Sequence, residues 1–362
     1  MNLPHLQAFL ANNNQPAFRF KQAKRAFYVE LLNDWDELST FPKPLRDQLK
    51  AEIPFNEFTV VNVQTSTQGD TVKSLLACRD GKKIEAVLMR HDDDRNTVCV
   101  SSQVGCAMAC SFCATGTMGL KRNLTSDEIV EQVLHYARWL KPQNQRVTNV
   151  VLMGMGEPFH NYDEVIRALR TLNDPEGFNL GARHMSVSTC GIVPGILKLA
   201  DEPMQVNLAI SLHSAIDAQR SKIMPVNNPY PIKKLMDAVH LYMEKTNRKV
   251  MFEYLLLDGI NDRDEDVRAL QALFEDDYRL VHINLIKYHD TQAFQGTPRK
   301  DRLDFLNKLH RAGIPATHRI TFGEDIDAAC GQLAVNESEG KLATGQAAMT
   351  INKQAKTPTK AV

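Results

Sequence analysis

The run CAMACSFCATG, starting at Cys106, places Cys106, Cys110 and Cys113 within eight residues. A disulfide uses two thiols and a tetrahedral zinc site takes four ligands, yet no fourth cysteine or histidine follows at finger-like spacing. Iron–sulfur cubanes are held by thiolates and normally take four, so three protein ligands leave one iron open for another group. A zinc site or a set of buried thiols is the alternative reading of these three residues.

Other residues gather at the ends of apolar strand candidates. LMGMGEP (Leu152 to Pro158) closes one strand with a turn whose glycines, among them Gly156, expose backbone, and whose Glu157 can accept bonds from an ammonium. Ser188 in SVSTCG, and Ser211, Leu212 and His213 in SLH, end the next two strands and can meet the same ligand. Taken alone, Ser188 reads as a strand-end turn residue and His213 as a satisfied core histidine. Cys99 in NTVCVSSQVGC and Cys330 in DAACGQL flank the same mouth. Each taken singly is a small buried hydrophobe, although the small residues and glycine around Cys330 suit a reachable thiol. Cys78 and Cys190 lie in apolar strand runs and read as core.

The elements that must position these residues are legible from composition and periodicity. The chain has 362 residues, 43% hydrophobic and 24% charged, with no net charge, enough for one large core and a smaller domain beside it. Balanced charge neither supports nor excludes RNA, which would have to be held by a local basic surface. No run approaches the ~18 apolar residues of a membrane span and no signal-like start is present, so a cytoplasmic protein without a membrane partner is expected. Seven cysteines at irregular spacing do not make a secreted disulfide framework.

Residues 1–53 read as a helical module, 54–92 as a three-stranded β extension, 93–333 as the main domain and 334–362 as a disordered tail without an acidic residue after Gly340. From about residue 97 strand and helix patterns alternate as in a parallel α/β fold. The strand candidates are TVCVSSQ, VTNVVLMG, HMSVSTCG, VNLAISLH, KVMFEYLLL, LVHINLIKY and ATHRITFG. Thr125 and Glu128 have capping-box spacing. The expected fold is α/β: a partial (β/α)6 TIM-like barrel with its site at the carboxyl ends of the strands. Arg19, Lys21, Lys24 and Arg25 of the helical module, with Lys121 and Arg122, are candidate RNA-backbone contacts; a solvated basic face is the plainer reading.

The spacing CxxxCxxC with Phe112 before the last cysteine resembles the cluster loop of the radical S-adenosylmethionine (SAM) superfamily, and MGMGEP resembles its glycine–glutamate element for the methionine amine. Together VCVSSQVGCAMACSFCATGTMGLKRNL, MGMGEP, SLHSAIDAQRSKIMPVN and DIDAACGQL resemble the RlmN/Cfr family of radical SAM RNA adenine methyltransferases, over about residues 15 to 335. The resemblance implies a [4Fe-4S] cluster on Cys106, Cys110 and Cys113, two SAM per turnover, and SAM contacts from Gly156, Glu157, Ser188, Ser211, Leu212 and His213. It implies that Cys330 takes a methyl by displacement, that a radical on this methyl joins the adenine in a protein–RNA cross-link, and that Cys99 resolves the cross-link as a transient disulfide. Glu85 in KKIEAVLMR matches the family's base, with one extra residue before Cys99. The family's SAM-binding asparagine is here His289, or the match slips to Asp290. The implied substrate is carbon 2 of an adenosine in 23S rRNA and tRNA. Carbon 8, the antibiotic-resistance activity, is the alternative, and Pro158 after MGMGE favours carbon 2. A cytoplasmic electron donor, a thiol reductant and a monomeric enzyme complete the expectation. A zinc-containing RNA-binding protein without catalysis is the alternative of another class.

Overall fold

The computed structural model describes residues 2–275, 278–289 and 293–334; Asp290 and the tail from residue 335 onward lie outside them. Three helices come first, α1 (Leu3–Asn12), α2 (Phe18–Tyr28) and α3 (Lys43–Glu52). The basic and apolar alternation of RFKQAKRAFYVELLN would carry α2 on to Asn33, yet the helix stops at Tyr28. Leu31 is left-handed at φ +52°, and the Arg138 and Lys141 side chains take the Leu32 and Glu30 carbonyls, which a longer helix would have used itself. The module's buried residues belong to the same core cluster as the rest of the described chain, and within it Phe27 stacks on Phe55 at 4.0 Å while Trp35, edge-on to Phe55, donates to the Ile53 carbonyl.

Next come β1 (Phe58–Thr65), β2 (Thr71–Cys78) and β3 (Lys83–Arg90), antiparallel neighbours joined by tight turns. The strand β4 (Asn96–Cys99) pairs antiparallel with β3 on one side and parallel with the strand Asn149–Leu152 on the other. Two short strands, β5 (Gln103–Val104) and β6 (Arg122–Asn123), pair with each other on either side of the three-cysteine loop, which holds the helical turn α4 (Ala114–Thr117). Helix α5 (Ser126–Leu140) starts at the expected capping box: Thr125 accepts from the Glu128 amide at 3.2 Å, and the Thr125 amide donates to the Glu128 carboxylate at 2.9 Å.

Strand and helix then alternate through β7 (Asn149–Leu152), α6 (Tyr162–Asn173), β8 (Met185–Thr189), α7 (Val193–Ala200), β9 (Asn207–Ser211), α8 (Asp217–Ile223), α9 (Ile232–Thr246), β10 (Val250–Leu256), α10 (Asp264–Phe274), β11 (Val281–Lys287), α11 (Arg299–Arg311) and β12 (Ala316–His318). One sheet runs β1-β2-β3-β4-β7-β8-β9-β10-β11-β12, parallel from β4 onward, so the extension is continuous with the barrel wall. The sheet remains open, with β1 and β12 at its edges. This is the partial TIM-like barrel expected.

The last strand candidate, ATHRITFG, is shorter than its sequence pattern. Pairing ends at His318; the Arg319 amide still donates to Leu285, and the chain then turns at Gly323, φ +62°. Among the described residues no helix is long and apolar enough to cross a membrane.

Candidate active site at the carboxyl ends of the barrel strands

The three-cysteine loop is held from both ends. Gly105, φ +75°, lies so close to the Gly119 carbonyl that a Cβ there would sit 1.9 Å from its oxygen. The Ser111 amide donates to Ile223, and the Ala114 amide donates to Gly331, the residue after Cys330. All three thiols line one cleft of about 850 Å³ together with Gly156, Glu157, Ser188, Ser211 and His213. Burial is the main cause that raises each thiol above its usual range, Cys106 to about 11.

The MGMGEP turn fits against β4 by close backbone approach. A Cβ on Gly154 would lie 2.7 Å from the Val100 carbonyl, and one on Gly156, φ +102°, would lie 2.5 Å from Gln103. Glu157 is buried, and its carboxylate accepts from the Phe159 amide at 2.9 Å and the Cys190 amide at 2.8 Å. Two backbone donors stabilise the anion and leave lone pairs for an ammonium.

His213, left-handed at φ +55°, is fixed on three sides. Its Nδ1 accepts from the Leu255 amide at 3.0 Å, its carbonyl accepts from Asn261, and its ring meets Phe112 edge-on at 4.8 Å. Burial lowers its pKa to about 3, so the ring is neutral and Nε2 carries the proton. Leu212 lines neither cleft: its side chain is buried, its amide donates to Glu253 and its carbonyl accepts from Arg220.

A second cleft, about 700 Å³, is lined by Cys99, Cys330 and His289 and shares Cys113, Met153, Gly154, Arg319 and Cys330 with the first. Cys99 pairs in register with Val87 on β3. Burial pushes its thiol up to about 12, with a further rise from the neighbouring Cys330, against which Arg319 pulls down. His289 is on this side, 3.6 Å from Glu324, and does not line the cluster cleft.

Glu85 lies on β3, 2% exposed, and its Oε1 is 3.3 Å from the Lys73 ammonium. Its burial excludes an exposed strand carboxylate set beside Lys82 and Lys83. Between Glu85 and Cys99 the β3–β4 turn is closed by a bond from the His91 amide to the Arg95 carbonyl, with Asp94 at φ +63°.

Sequence reasoning missed several groups. Arg319 lies beside Cys330, Cys99 and Glu253, 3.4 Å from the Glu253 carboxylate; its nearness to Cys330 is the main cause that raises its pKa. Arg220 is fully buried and donates to the carbonyls of Cys190 (2.7 Å), Ser211 (3.1 Å) and Leu212 (3.0 Å), tying the ends of β8 and β9 together. It stands in the motif SLHSAIDAQRSKIMPVN, so a signal existed; an arginine after an ordinary strand gave Arg319 none. Among the RNA-contact candidates, Arg122 is clamped between Asp80 and Glu128, Lys24 pairs with Asp174, and Arg25 with Glu30. Arg19 donates to Gln22 and the Thr40 carbonyl; Lys21 and Lys121 are exposed.

The sequence model of the Radical SAM superfamily matches residues 100–271. A probable dual-specificity RNA methyltransferase RlmN of Staphylococcus saprophyticus is 46% identical over 334 residues, covering 92% of this chain and 91% of that protein. The chain belongs to the RlmN/Cfr family. A probable RlmN of Geobacillus kaustophilus is 44% identical over 339 residues, 93% of this chain and 92% of that one. The crystal structure of a radical SAM methyltransferase from Sphaerobacter thermophilus superposes with a TM-score of 0.88 at 45% identity, over 92% of this chain and 97% of that chain. Membership in the RlmN/Cfr family makes the chain a radical SAM RNA methyltransferase and overturns the reading as a non-catalytic zinc protein.

Superfamily membership implies a [4Fe-4S] cluster and SAM, and the residues present suit both. Among the described residues no three metal-ligating side chains converge on one point, as the ligands of a single zinc ion must. Thiolates that each hold a different iron need only face one cleft, as these three do.

Proposed function

We propose that this enzyme methylates carbon 2 of a specific adenosine in 23S rRNA and in tRNA, with Cys330 as methyl carrier, Cys99 as resolving thiol and Glu85 as base. The observation that carries the reading is the shared wall of the two clefts: Cys330 borders both the cleft of Cys106, Cys110 and Cys113 and the cleft of Cys99. Carbon 2 is favoured over carbon 8 by Pro158 after MGMGE and by the RlmN names of the relatives.

In this reading Cys106, Cys110 and Cys113 hold the cluster, and Glu157, the Gly156 backbone, Ser188, Ser211 and His213 hold SAM. The Cys330 thiolate attacks the methyl carbon of one SAM; the new S–C bond forms as the sulfonium C–S bond breaks, and S-adenosylhomocysteine leaves. When bound, the cluster and a second SAM supply the one-electron chemistry that takes a hydrogen atom from this S-methyl group. The activated carbon bonds to the adenine ring carbon and links Cys330 to RNA. Glu85 accepts the proton of that ring carbon, and the surplus electron returns to a one-electron carrier. The Cys99 thiolate then attacks the Cys330 sulfur: the S–S bond forms, the S–C bond breaks, and its electron pair passes to the former methyl carbon, which takes a proton. A dithiol reductant reopens the disulfide. We place the enzyme in the cytoplasm, where such reductants are held.

Nucleoside mass spectrometry of ribosomal and transfer RNA from a methyltransferase-null host, with wild type or Cys330→Ala supplied, tests the reading. 2-Methyladenosine lost in the variant supports it; 8-methyladenosine moves the enzyme to the other branch; neither product overturns the proposed substrate.

A further inference from the structure

Lys73 was not singled out by its sequence, yet it is one of the most buried ammonium groups of the described chain, 7% exposed on β2. Its Nζ lies 3.3 Å from Glu85 Oε1 on the neighbouring strand and donates at 3.3 Å to the backbone carbonyl of Asp327. Asp327 is three residues before Cys330 and is left-handed at φ +51°, a conformation that a non-glycine residue holds only when its surroundings fix it. The same hairpin grips this segment again: the Thr67 amide and hydroxyl both donate to Asp325 at 2.7 Å, and Gly323 is packed so closely on Thr71 that a Cβ there would lie 2.7 Å from the threonine methyl.

We propose that Lys73 is a positioning residue of the methyl transfer: one buried ammonium aims the Glu85 carboxylate and pins, through Asp327, the loop that presents Cys330. The proposal rests on the reading of Glu85 as the base. A buried carboxylate that is to accept a proton must be held in one direction, and the Lys73 ammonium 3.3 Å from Oε1 does this from the neighbouring strand. An ammonium has three donors, so it serves carboxylate and carbonyl together. The β extension therefore does more than continue the barrel wall, since it ties the base to the methyl carrier.

The test uses the full chain with its cluster reconstituted, comparing wild type, Glu85→Gln, Lys73→Met, Lys73→Arg and the double variant Lys73→Met/Glu85→Gln. Covalent RNA adduct is quantified on denaturing gels, and Cys330 reactivity by its rate of alkylation with iodoacetamide in the cluster-free protein. We expect Glu85→Gln and Lys73→Met each to accumulate at least tenfold more adduct than wild type, Lys73→Arg to reverse most of this, and the double variant to accumulate no more than Glu85→Gln alone. Alkylation of Cys330 rises several-fold in Lys73→Met and stays unchanged in Glu85→Gln. If Glu85→Gln accumulates adduct while Lys73→Met behaves as wild type in both readouts, Lys73 has no positioning role. If Glu85→Gln turns over normally, the base assignment fails and the proposal fails with it. Should Lys73→Met not fold, because it removes a charge partner of the buried Glu85, the double variant removes that carboxylate charge as well, and additive losses there overturn the coupling.

Discussion

Cys99 is a poor nucleophile as the free enzyme holds it, since burial keeps its thiol protonated up to about 12. Burial of Cys99 remains once Cys330 is alkylated, so the fraction of Cys99 thiolate still rises with pH. Decay of the cross-link in a stopped reaction is expected to quicken about tenfold per pH unit between about pH 7 and 9; a flat profile would show that deprotonation of Cys99 does not limit resolution. In Cys99→Ala the adduct should persist at every pH while the cluster absorbance and SAM binding match wild type, and an adduct-free variant would remove Cys99 from the mechanism. His213 makes a second pH prediction. Its pKa is lowered from an unfolded value of about 6.5 to about 3 when folded, so the unfolded chain binds the extra proton and stability falls as pH drops below about 6.5. Roughly 2 kcal/mol should be lost from this group by about pH 5. Urea denaturation at pH 7 and at the lower pH, in wild type and His213→Gln, should show a smaller loss in the variant.

At the scale of elements, the strand-end turns carry the site, and their tolerance is set by backbone approach. Gly154→Ala places a methyl 2.7 Å from the Val100 carbonyl, so the turn that presents Glu157 must move. SAM affinity by equilibrium dialysis should fall at least tenfold, with cysteine accessibility of the three-thiol loop increased; unchanged affinity would mean that the turn is softer than its packing implies. Arg122 shows the opposite relation between sequence and role. It bridges Asp80 of the β2–β3 turn to Glu128 of the α5 capping box, bonding the two Glu128 oxygens at 2.8 Å each. Arg122→Ala should cost about 1 kcal/mol of stability, discounted for partial exposure, and leave RNA affinity of the folded enzyme within twofold of wild type. Lys21→Glu is the contrast: an exposed residue whose reversal should lower RNA affinity two- to fivefold at low salt without changing the melting temperature. Equal RNA binding by both variants would remove α2 from the RNA surface.

At the scale of the whole molecule, the helical module, the β extension and the barrel share one core. The three-cysteine loop, the proposed methyl carrier and the proposed base come from residues far apart in sequence, and they meet because the C-terminal segment crosses the barrel mouth to the β1–β2 hairpin. The short-range features were determined by the sequence itself: the three cysteines at CxxxCxxC, the capping box at Thr125, the alternation of strands and helices, and the glycines of MGMGEP are all local patterns, set by spacing and backbone sterics. Tertiary structure alone decided the rest. It ended α2 at Tyr28, because Arg138 and Lys141 from a distant helix take the carbonyls just beyond it. It cut the last strand at His318 and turned Arg319 toward Cys330. It set His289 in the cleft of Cys99 and not in that of the cluster, and it placed Lys73 between Glu85 and the loop of Cys330. Each of these depends on burial and charge contributed by residues of other elements, and no local period or spacing encodes which partner arrives.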